Sequence, residues 1–448
     1  MSGPTGRVDS WAGRRVAVLG AAKSGVAAAN LLAELGADVV LSDTRPLEAI
    51  ATDRLDPRVT VRGGKNDLAG CEMVVPSPGI PPGAAVFAEA RAAGMTIVGE
   101  VELAASLSRA PIVAITGTDG KSTTTEMIGA VCRAAGRPTV VGGNIGIPLS
   151  EEIRTVGSDG IVVAEVSAFQ LWSCGYFRPR VAIVTNVAPD HADYFEGDWA
   201  AYTAAKARVL ADQGPGDTAV LRGDDPIVTA METRPGVRRL LFGPEPRFDW
   251  GWDGAFLLRD GEPVMASAEL GVPGRHNVCN ALATLAAAEA LGLSRSAAID
   301  ALRRFRGLPH RMEPIRVRGG VQFIDDSKAT NPHAARVGLR SLTVPYVAIV
   351  GGYDKGLDQA DFIAELRARA RAVVVIGGTA DRTAAELGAG VSVARAETME
   401  SAVARAAELA AVGDAVVLSP AASSFDLYRD YHERGQRFQA AVRALPEA

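Results

Sequence analysis

The sequence has few cysteines, no basic excess and no long apolar run. Its four cysteines, Cys71, Cys132, Cys174 and Cys279, stand far apart with no C-x-x-C pair. That argues against a disulfide framework and reads as reduced, mostly buried thiols of a cytoplasmic protein. Lys and Arg together number 47 against 52 Asp and Glu, a net charge of -5. A reader of nucleic-acid backbones needs a basic surface, so nucleic acid is not expected as the main partner. No stretch approaches the roughly 18 apolar residues of a membrane span. The opening "MSGPTGRVDSWAGRR" lacks the apolar segment of a secretory signal. Solenoid-length repeats and low-complexity tails are also missing.

The sequence does hold ordinary globular material, 48% apolar and 22% charged over 448 residues. At about 100–200 residues per domain, that is enough for about three domains. Short β-rich runs alternate with Ala-rich helical patterns. "RRVAVLG", "SGVAAANLLAELG" and "DVVLSD" form one βαβ unit, and "MVVPSPG" and "IVGEVELAA" close a first region near residue 108. "PIVAIT", "GIVVAEVS" and "VAIVTNV" belong to a second region. "VQFIDDS", "YVAIVGG", "AVVVIGG" and "DAVVLSP" belong to a third, alternating with helices such as "DFIAELRARARA" and "SAVARAAELAA". Apolar strands separated by helices predict parallel sheets covered on both faces. "SLSRAP" and "RGLPHRMEP" are the expected hinges, giving domains 1–108, 109–312 and 313–448. "WDGAFLLRDGEPVMAS", with its two D-G turns, reads as a hairpin excursion.

The chemistry is densest in "AITGTDGKSTTTEM", Ala114 to Met127. β-Formers lead into Gly-Lys-Ser, and a helical pattern follows. The usual phosphate loop, G-x-x-x-x-G-K-[ST], wants glycine where Ile115 stands, and the nearest upstream glycine is Gly117, so this loop is two residues short. Its N–H groups at a helix start can still bind an anion. Lys121 would reach the outer phosphates and Ser122 would ligate Mg²⁺. Asp119 is awkward there and must point outward or toward a metal.

Other polar residues fall at strand ends, where α/β sheets bind ligands. "GAAKSG" (Gly20 to Gly25) has Ala22 in place of the middle glycine of a dinucleotide fingerprint, which weakens a nicotinamide reading. Asp43, Thr44 and Arg45 follow the next strand, and Gly79 sits in "PSPGI". Alone, these are equally plain turn chemistry. Glu165 after "IVVA" occupies the usual place of a Mg²⁺ partner, although a strand-end Glu is more often a helix cap. His191 falls in "TNVAPDHADY". Lys206, in "YTAAKARVL", reads by itself as a lysine on a solvated helix face.

Taken together, these pieces resemble the Mur ligases, ATP-driven peptide synthetases of the peptidoglycan precursor. The resemblance rests on "GTDGKST", "GGNIG" (Gly142–Gly146), "AEVSAFQL", "NVAPDHADYF", "YTAAKARVL", "GRHNVCN" (Gly274–Asn280), "GLPHRME" and "DDSKATNP". They occur in family order over nearly the whole chain. The shortened loop is that family's own form. "DDSKATNP" (Asp325–Pro332) and "LSPAASSFDLY" (Leu418–Tyr428) resemble the branch that adds D-glutamate.

The resemblance implies an α/β chain of three domains. A Rossmann-like N-terminal domain would bind the UDP-sugar, a central P-loop-type ATPase domain with a mainly parallel sheet would bind ATP, and a Rossmann-like C-terminal domain would bind the amino acid. The implied substrates are ATP, UDP-N-acetylmuramoyl-L-alanine and D-glutamate, joined through an acyl phosphate. Two Mg²⁺ ions are implied, held by Ser122, Glu165, His191 and a CO₂-derived carbamate on Lys206. Thr118, Asp119, Gly120, Lys121, Ser122, Thr123 and Thr124 would surround the ATP phosphates, with Asn280, Arg311 and Asp326 at adenine, phosphates and ribose. Lys23, Ser24, Asp43, Thr44, Arg45, Ser77, Gly79, Asn144 and His191 would contact the UDP-sugar. Thr330, Lys355, Ser424 and Tyr431 would place D-glutamate, with Tyr431 standing where Phe is expected. A monomer with no membrane insertion is the further expectation.

Three rival readings leave parts of the sequence unused. A folylpolyglutamate synthetase should lack the 108 or so residues of βαβ before the loop. A P-loop switch or motor ATPase leaves "GRHNVCN" and "DDSKATNP" without a role. A nicotinamide dehydrogenase is opposed by Ala22 and by the phosphate loop itself.

Overall fold

A computed structural model of the chain describes residues 8, 10–68, 70–188, 194–354 and 356–447. The chain divides into two compact units, residues 1–305 and 306–448. Among the described residues, the longer strands build three sheets of five, nine and six members. Each sheet is covered on both faces, as the uniformly apolar strands require.

The first sheet is parallel throughout, in the order Thr60–Arg62, Asp38–Ser42, Arg15–Leu19, Met73–Pro76, Thr96–Ile97. The turn after Arg15–Leu19 is made by Gly20, at φ +89°, and leads into the helix Lys23–Glu34. Gly25 lies so close to this turn that a Cβ would overlap the Gly20 carbonyl oxygen. Here the outer glycines of "GAAKSG" serve the turn and the helix-to-strand contact. "IVGEVELAA" becomes the short strand Thr96–Ile97 and the helix Glu100–Leu107.

The second sheet runs Thr139–Gly143, Ile161–Glu165, Ile112–Thr116, Val181–Val184, Thr218–Arg222, Arg238–Phe242, Trp250–Trp252, all parallel. The expected excursion follows as two antiparallel strands, Phe256–Arg259 and Glu262–Ala266. Asp260 (φ +50°) and Gly261 (φ +83°) make the second D-G turn. Val113 and Ile115 enter the core on one face, while Ile112 and Ala114 enter the core on the other. On the first of these faces the helix Lys121–Ala134 packs on Arg275–Ala290, an Ala-rich helix buried continuously from Val278 to Ala288. A helix this apolar all round belongs inside a protein. No helix among the described residues is long and apolar enough to cross a membrane.

The unit 306–448 carries the third sheet, ordered Glu313–Arg318, Val321–Asp325, Ala415–Leu418, Tyr346–Val350, Ala370–Val375, Ser392–Arg395. Only the edge pair at Glu313–Arg318 is antiparallel. The helix expected over "DFIAELRARARA" stops at Arg369, and the chain turns to strand at Ala370.

Candidate functional site

The phosphate-loop candidate lies between the buried strand Ile112–Thr116 and the helix Lys121–Ala134. Gly117 (φ +145°) and Gly120 (φ +79°) give the loop its shape, and the Asn280 amide lies against Gly120 where a side chain would stand. Among the described residues, no side chain caps the helix start. The first-turn N–H groups of Lys121, Ser122 and Thr123 are therefore the kind an anion satisfies. Asp119 is exposed. Thr124 is buried and donates to Asn280 Oδ1 at 3.3 Å.

Two ammonium groups converge on this loop. Lys121 Nζ donates to the carbonyls of Gly117 (2.9 Å) and Thr118 (2.8 Å). Lys206 Nζ donates to the same Gly117 carbonyl at 2.7 Å and lies 4.5 Å from the Tyr202 ring centre. Lys206 is 2% exposed, so the solvated-face reading of this residue is wrong. The helix Trp199–Ala207 turns it inward, onto the loop. Burying an ammonium costs several kcal/mol unless it is well compensated, which makes an incidental lysine here improbable on energetic grounds. Two cations sharing one carbonyl make a strong local field for an anion.

Glu165 ends the strand paired directly to the loop's own strand, in register with Ile115. It is not a helix cap; Ser167 caps the next turn. The carboxylate is 1% exposed. Its Oε1 accepts from Asn144 Nδ2 at 2.7 Å, while Oε2 is buried with no hydrogen-bond partner among the described residues. A buried carboxylate oxygen of this kind, beside the candidate phosphate loop, fits a cation ligand, because burying it unpaired is otherwise costly. Ser122 stands in the first turn of the helix Lys121–Ala134. His191 lies outside the described residues.

Two residues that sequence reasoning missed hold the loop in place. Asn186 Oδ1 accepts from the N–H groups of Thr118 (3.1 Å) and Asp119 (2.9 Å), and Thr185 Oγ1 donates to the Asp119 carbonyl (2.6 Å). Both follow the strand Val181–Val184, the loop strand's other neighbour, so "VAIVTNV" held the signal.

The sugar candidates gather at the carboxyl ends of the first sheet. Lys23 and Ser24 open the helix after "GAA", Asp43 to Arg45 follow Asp38–Ser42, and Ser77 and Gly79 follow Met73–Pro76. Asp43 is 8% exposed and organises this edge. Its carboxylate accepts from the Ala21 N–H (2.7 Å), and from the Arg45 N–H (2.9 Å) and guanidinium (2.8 Å). The Arg45 guanidinium holds the Asp43 carboxyl far below the ordinary carboxylate range, even against its burial. Asn144, the last sugar candidate, sits instead beside the second sheet, on Glu165.

In the unit 306–448, Asp326 is 3% exposed and accepts from Ser419 Oγ (2.9 Å) and the Met312 N–H (3.3 Å). Burial pushes its carboxyl up to about 7. Arg311 is exposed on a turn flanked by His310 and Met312, both at positive φ. His310 is anchored to Asp325 by a 2.7 Å bond. His310, Glu313 and Asp325 lie close enough to share an ion. However, the Gln439 amide already bridges the two carboxylates at 3.1 and 3.0 Å. Thr330 lines a small cleft with Tyr353, Gln359 and Ala422, and Ser424 lies two residues beyond Ala422, buried. Tyr431 begins the helix Tyr431–Ala444, and its carbonyl accepts from Ser327 Oγ at 2.8 Å. Arg434, not foreseen, is 2% exposed and ties this segment together through Ser327 and the carbonyls of Ala422 and Ser423. Burial lowers its guanidinium to about 10. Lys355 lies outside the described residues.

Comparison with known proteins agrees along the chain. Residues 14–99 match the Mur ligase MurD-like N-terminal domain, 115–288 the Mur ligase middle domain and 310–422 the Mur ligase glutamate ligase domain. The UDP-N-acetylmuramoylalanine--D-glutamate ligase of Pelotomaculum thermopropionicum is 40% identical, over 96% of this chain and 98% of that one. The enzyme of the same name from Geobacter metallireducens is 40% identical over 97% and 98%. Among solved structures, UDP-N-acetylmuramate-alanine ligase MurC from Thermotoga maritima covers 96% of this chain and 99% of its own, at TM-score 0.59 and 20% identity. A pseudomurein peptide ligase type C from Methanothermus fervidus covers 96% and 100%, at TM-score 0.55 and 18% identity. The structural likeness speaks for the fold alone. The shortened phosphate loop, its two lysines and its carboxylate lie in a chain matched by family domains from residue 14 to 422, and the chain belongs to the Mur ligase family.

Proposed function

We propose that the protein is an ATP-dependent ligase that adds D-glutamate to UDP-N-acetylmuramoyl-L-alanine, releasing ADP and phosphate, in peptidoglycan precursor synthesis. The observation that carries the reading is the convergence of Lys121 and Lys206 on the Gly117 carbonyl beside the buried Glu165 oxygen. The near-full-length relatives of that name, at 40% identity, supply the substrates.

A carboxylate is a poor electrophile, so ATP must first convert the substrate's carboxylate to an acyl phosphate. The amine of D-glutamate then attacks, and phosphate leaves. Phosphoryl transfer asks the protein for in-line positioning and charge neutralisation more than for covalent help. In this reading the first-turn amides and Lys121 bind the ATP phosphates and neutralise the charge that builds on the leaving oxygen. Thr185 and Asn186 keep the loop in shape. Glu165 and Ser122 would hold one Mg²⁺, and His191 with a carbamate on Lys206 a second. Bound there, Mg²⁺ would supply Lewis-acid neutralisation of phosphoryl charge. The carbamate accounts for a lysine among metal ligands, since an ammonium cannot ligate a cation and a carbamate is anionic.

The same reading gives the three regions their tasks: 1–108 for the UDP-sugar, 109–312 for ATP, 313–448 for the amino acid. Asn280, Arg311 and Asp326 would serve the nucleotide, and Thr330, Lys355, Ser424 and Tyr431 the glutamate. The enzyme would work as a cytoplasmic monomer. The test is one coupled assay with mass detection, with Mg²⁺, ATP and UDP-N-acetylmuramoyl-L-alanine in every well and D-glutamate, L-glutamate, L-lysine or diaminopimelate added separately. ADP release with a new amide mass for D-glutamate alone is expected. An amide with another amino acid discards the D-glutamate assignment, and ADP release without any amide discards the ligase.

A further inference from the structure

The geometry points to Tyr194 as a positioning residue for the nucleotide-sugar loop, acting together with Trp172. This rests on the reading of Ser77 and Gly79 as sugar contacts. The Tyr194 hydroxyl lies 2.8 Å from the carbonyl oxygens of both Pro78 and Ile80, and accepts from Trp172 Nε1 at 3.1 Å. A phenol has one proton to donate, so the two carbonyls share it, and the indole uses a lone pair. One oxygen thus fixes both sides of Gly79. Among the described residues, the bonds within the loop are the Ile80 N–H to the Ser77 carbonyl at 3.1 Å and the Gly79 N–H to Ser77 Oγ at 3.5 Å.

The grip is wider than one hydroxyl. The Trp172 ring meets Phe87 edge-on with centroids 4.8 Å apart, and Phe87 is fully buried in the first sheet's core with Leu19, Val40 and Val74. Tyr194 packs on Phe169 at 4.0 Å. The Glu196 carboxylate lies against Gly83, where a Cβ would overlap it. Residues 78 to 87 are therefore held at three points by side chains from segments flanking the second sheet.

Trp172 is also tied to the phosphate side. It follows Glu165 by seven residues, through a turn locked by the reciprocal Ser167–Gln170 capping box. The short covalent path from Glu165 to Trp172, continued by the contacts from Trp172 through Tyr194 to the Pro78 and Ile80 carbonyls, indexes the sugar loop to Glu165. A ligase of this kind must hold the sugar's carboxylate in line with the γ-phosphate, and small misplacements are costly in rate. Tyr194 sets that spacing without touching the reacting atoms.

The experiment is calorimetry of Tyr194→Phe, Trp172→Phe and the double variant, titrated with UDP-N-acetylmuramoyl-L-alanine and, separately, with ADP and Mg²⁺. Both substitutions keep an aromatic ring and remove only the polar atom or the indole. For Tyr194→Phe, affinity for the nucleotide-sugar is expected to fall about tenfold, the scale of a lost buried hydrogen bond, with ADP affinity unchanged. The double variant should be weaker than Tyr194→Phe only by what the Trp172–Phe87 ring contact contributes, because the two polar groups act through one oxygen. Should Tyr194→Phe fail to fold, Trp172→Phe decides by the same split between ligands. Unchanged sugar affinity overturns the proposal, and so does parallel loss of both ligands, which would mark a merely structural role. Wild-type protein that fails to bind the nucleotide-sugar overturns the functional reading and this proposal with it, whereas wild-type binding insensitive to the substitutions overturns this proposal alone.

Discussion

Asp326 makes a quantitative test of the candidate nucleotide site. Its carboxyl is 3% exposed, and burial carries it from 3.8 to about 7 despite bonds from Ser419 and the Met312 N–H. The folded pKa lies above the unfolded one, so the folded chain holds this proton more tightly. The resulting stabilisation is complete below the unfolded value and is lost as pH rises through about 7. A gap of about three units, at 1.36 kcal/mol each, is worth about 4 kcal/mol. Asp326→Asn cannot ionise and should escape that loss. Urea unfolding of wild type and variant from pH 4 to 8, followed through the transition of residues 306–448, should show the variant's relative stability climbing by about 1.4 kcal/mol per pH unit between pH 5 and 7. ATP use should move the opposite way in wild type. If ribose hydroxyls donate to this group, the anion is the better acceptor, so KM for ATP should fall as pH rises toward 8, while the variant's stays flat. A stability difference that does not change between pH 4 and 8 would refute the reasoning, because the carboxyl would then be titrating as it does in the unfolded chain.

Lys121→Ala should cost on the order of 10²–10³ in kcat, the loss typical of one transition-state charge contact, and near-wild-type turnover would remove the phosphate-loop assignment. Lys206→Ala should be folded by circular dichroism yet inactive, with partial recovery when short carboxylic acids fill the carbamate's place; full activity without them would end the carbamate reading. Glu165→Gln should keep the Asn144 contact through its carbonyl oxygen but raise the Mg²⁺ concentration needed for half-maximal rate, and an unchanged Mg²⁺ titration would remove Glu165 from the metal set. Gly25→Ala, whose methyl would overlap the Gly20 carbonyl oxygen, should destabilise by about 1–3 kcal/mol, and an unchanged Tm would show that the helix can shift at no cost.

Strands and helices were legible where one local pattern dominated. Ile112–Thr116 and Val181–Val184 are apolar at nearly every position and could only be buried parallel strands. The D-G turns declared their hairpins through residues that tolerate positive φ. The reading failed at Ala370, where "RARA" looks helical by composition. Pairing of Ala370–Val375 with Tyr346–Val350 outweighs that weak local preference, and the helix ends at Arg369. The placing of Glu165 beside the strand that leads into the candidate loop was legible because both fall at strand ends in sequence.

Lys206 and Arg434 show the limit of such reading. Each sits on a helix with a mixed pattern, where a basic residue is by default solvated, and each is 2% exposed. What distinguishes them is the acceptor they reach: the Gly117 carbonyl for Lys206, 89 residues away, and the Ala422 and Ser423 carbonyls for Arg434. A buried cation is tolerated only where the fold delivers compensating oxygens, and that delivery is a property of tertiary packing rather than of the local window. The same holds for Asn186, whose side-chain oxygen accepts from two of the loop's N–H groups. The Thr118 and Asp119 N–H groups thus find an acceptor just beyond the neighbouring strand Val181–Val184. A substitution at Asn186 should therefore mimic damage to the loop itself.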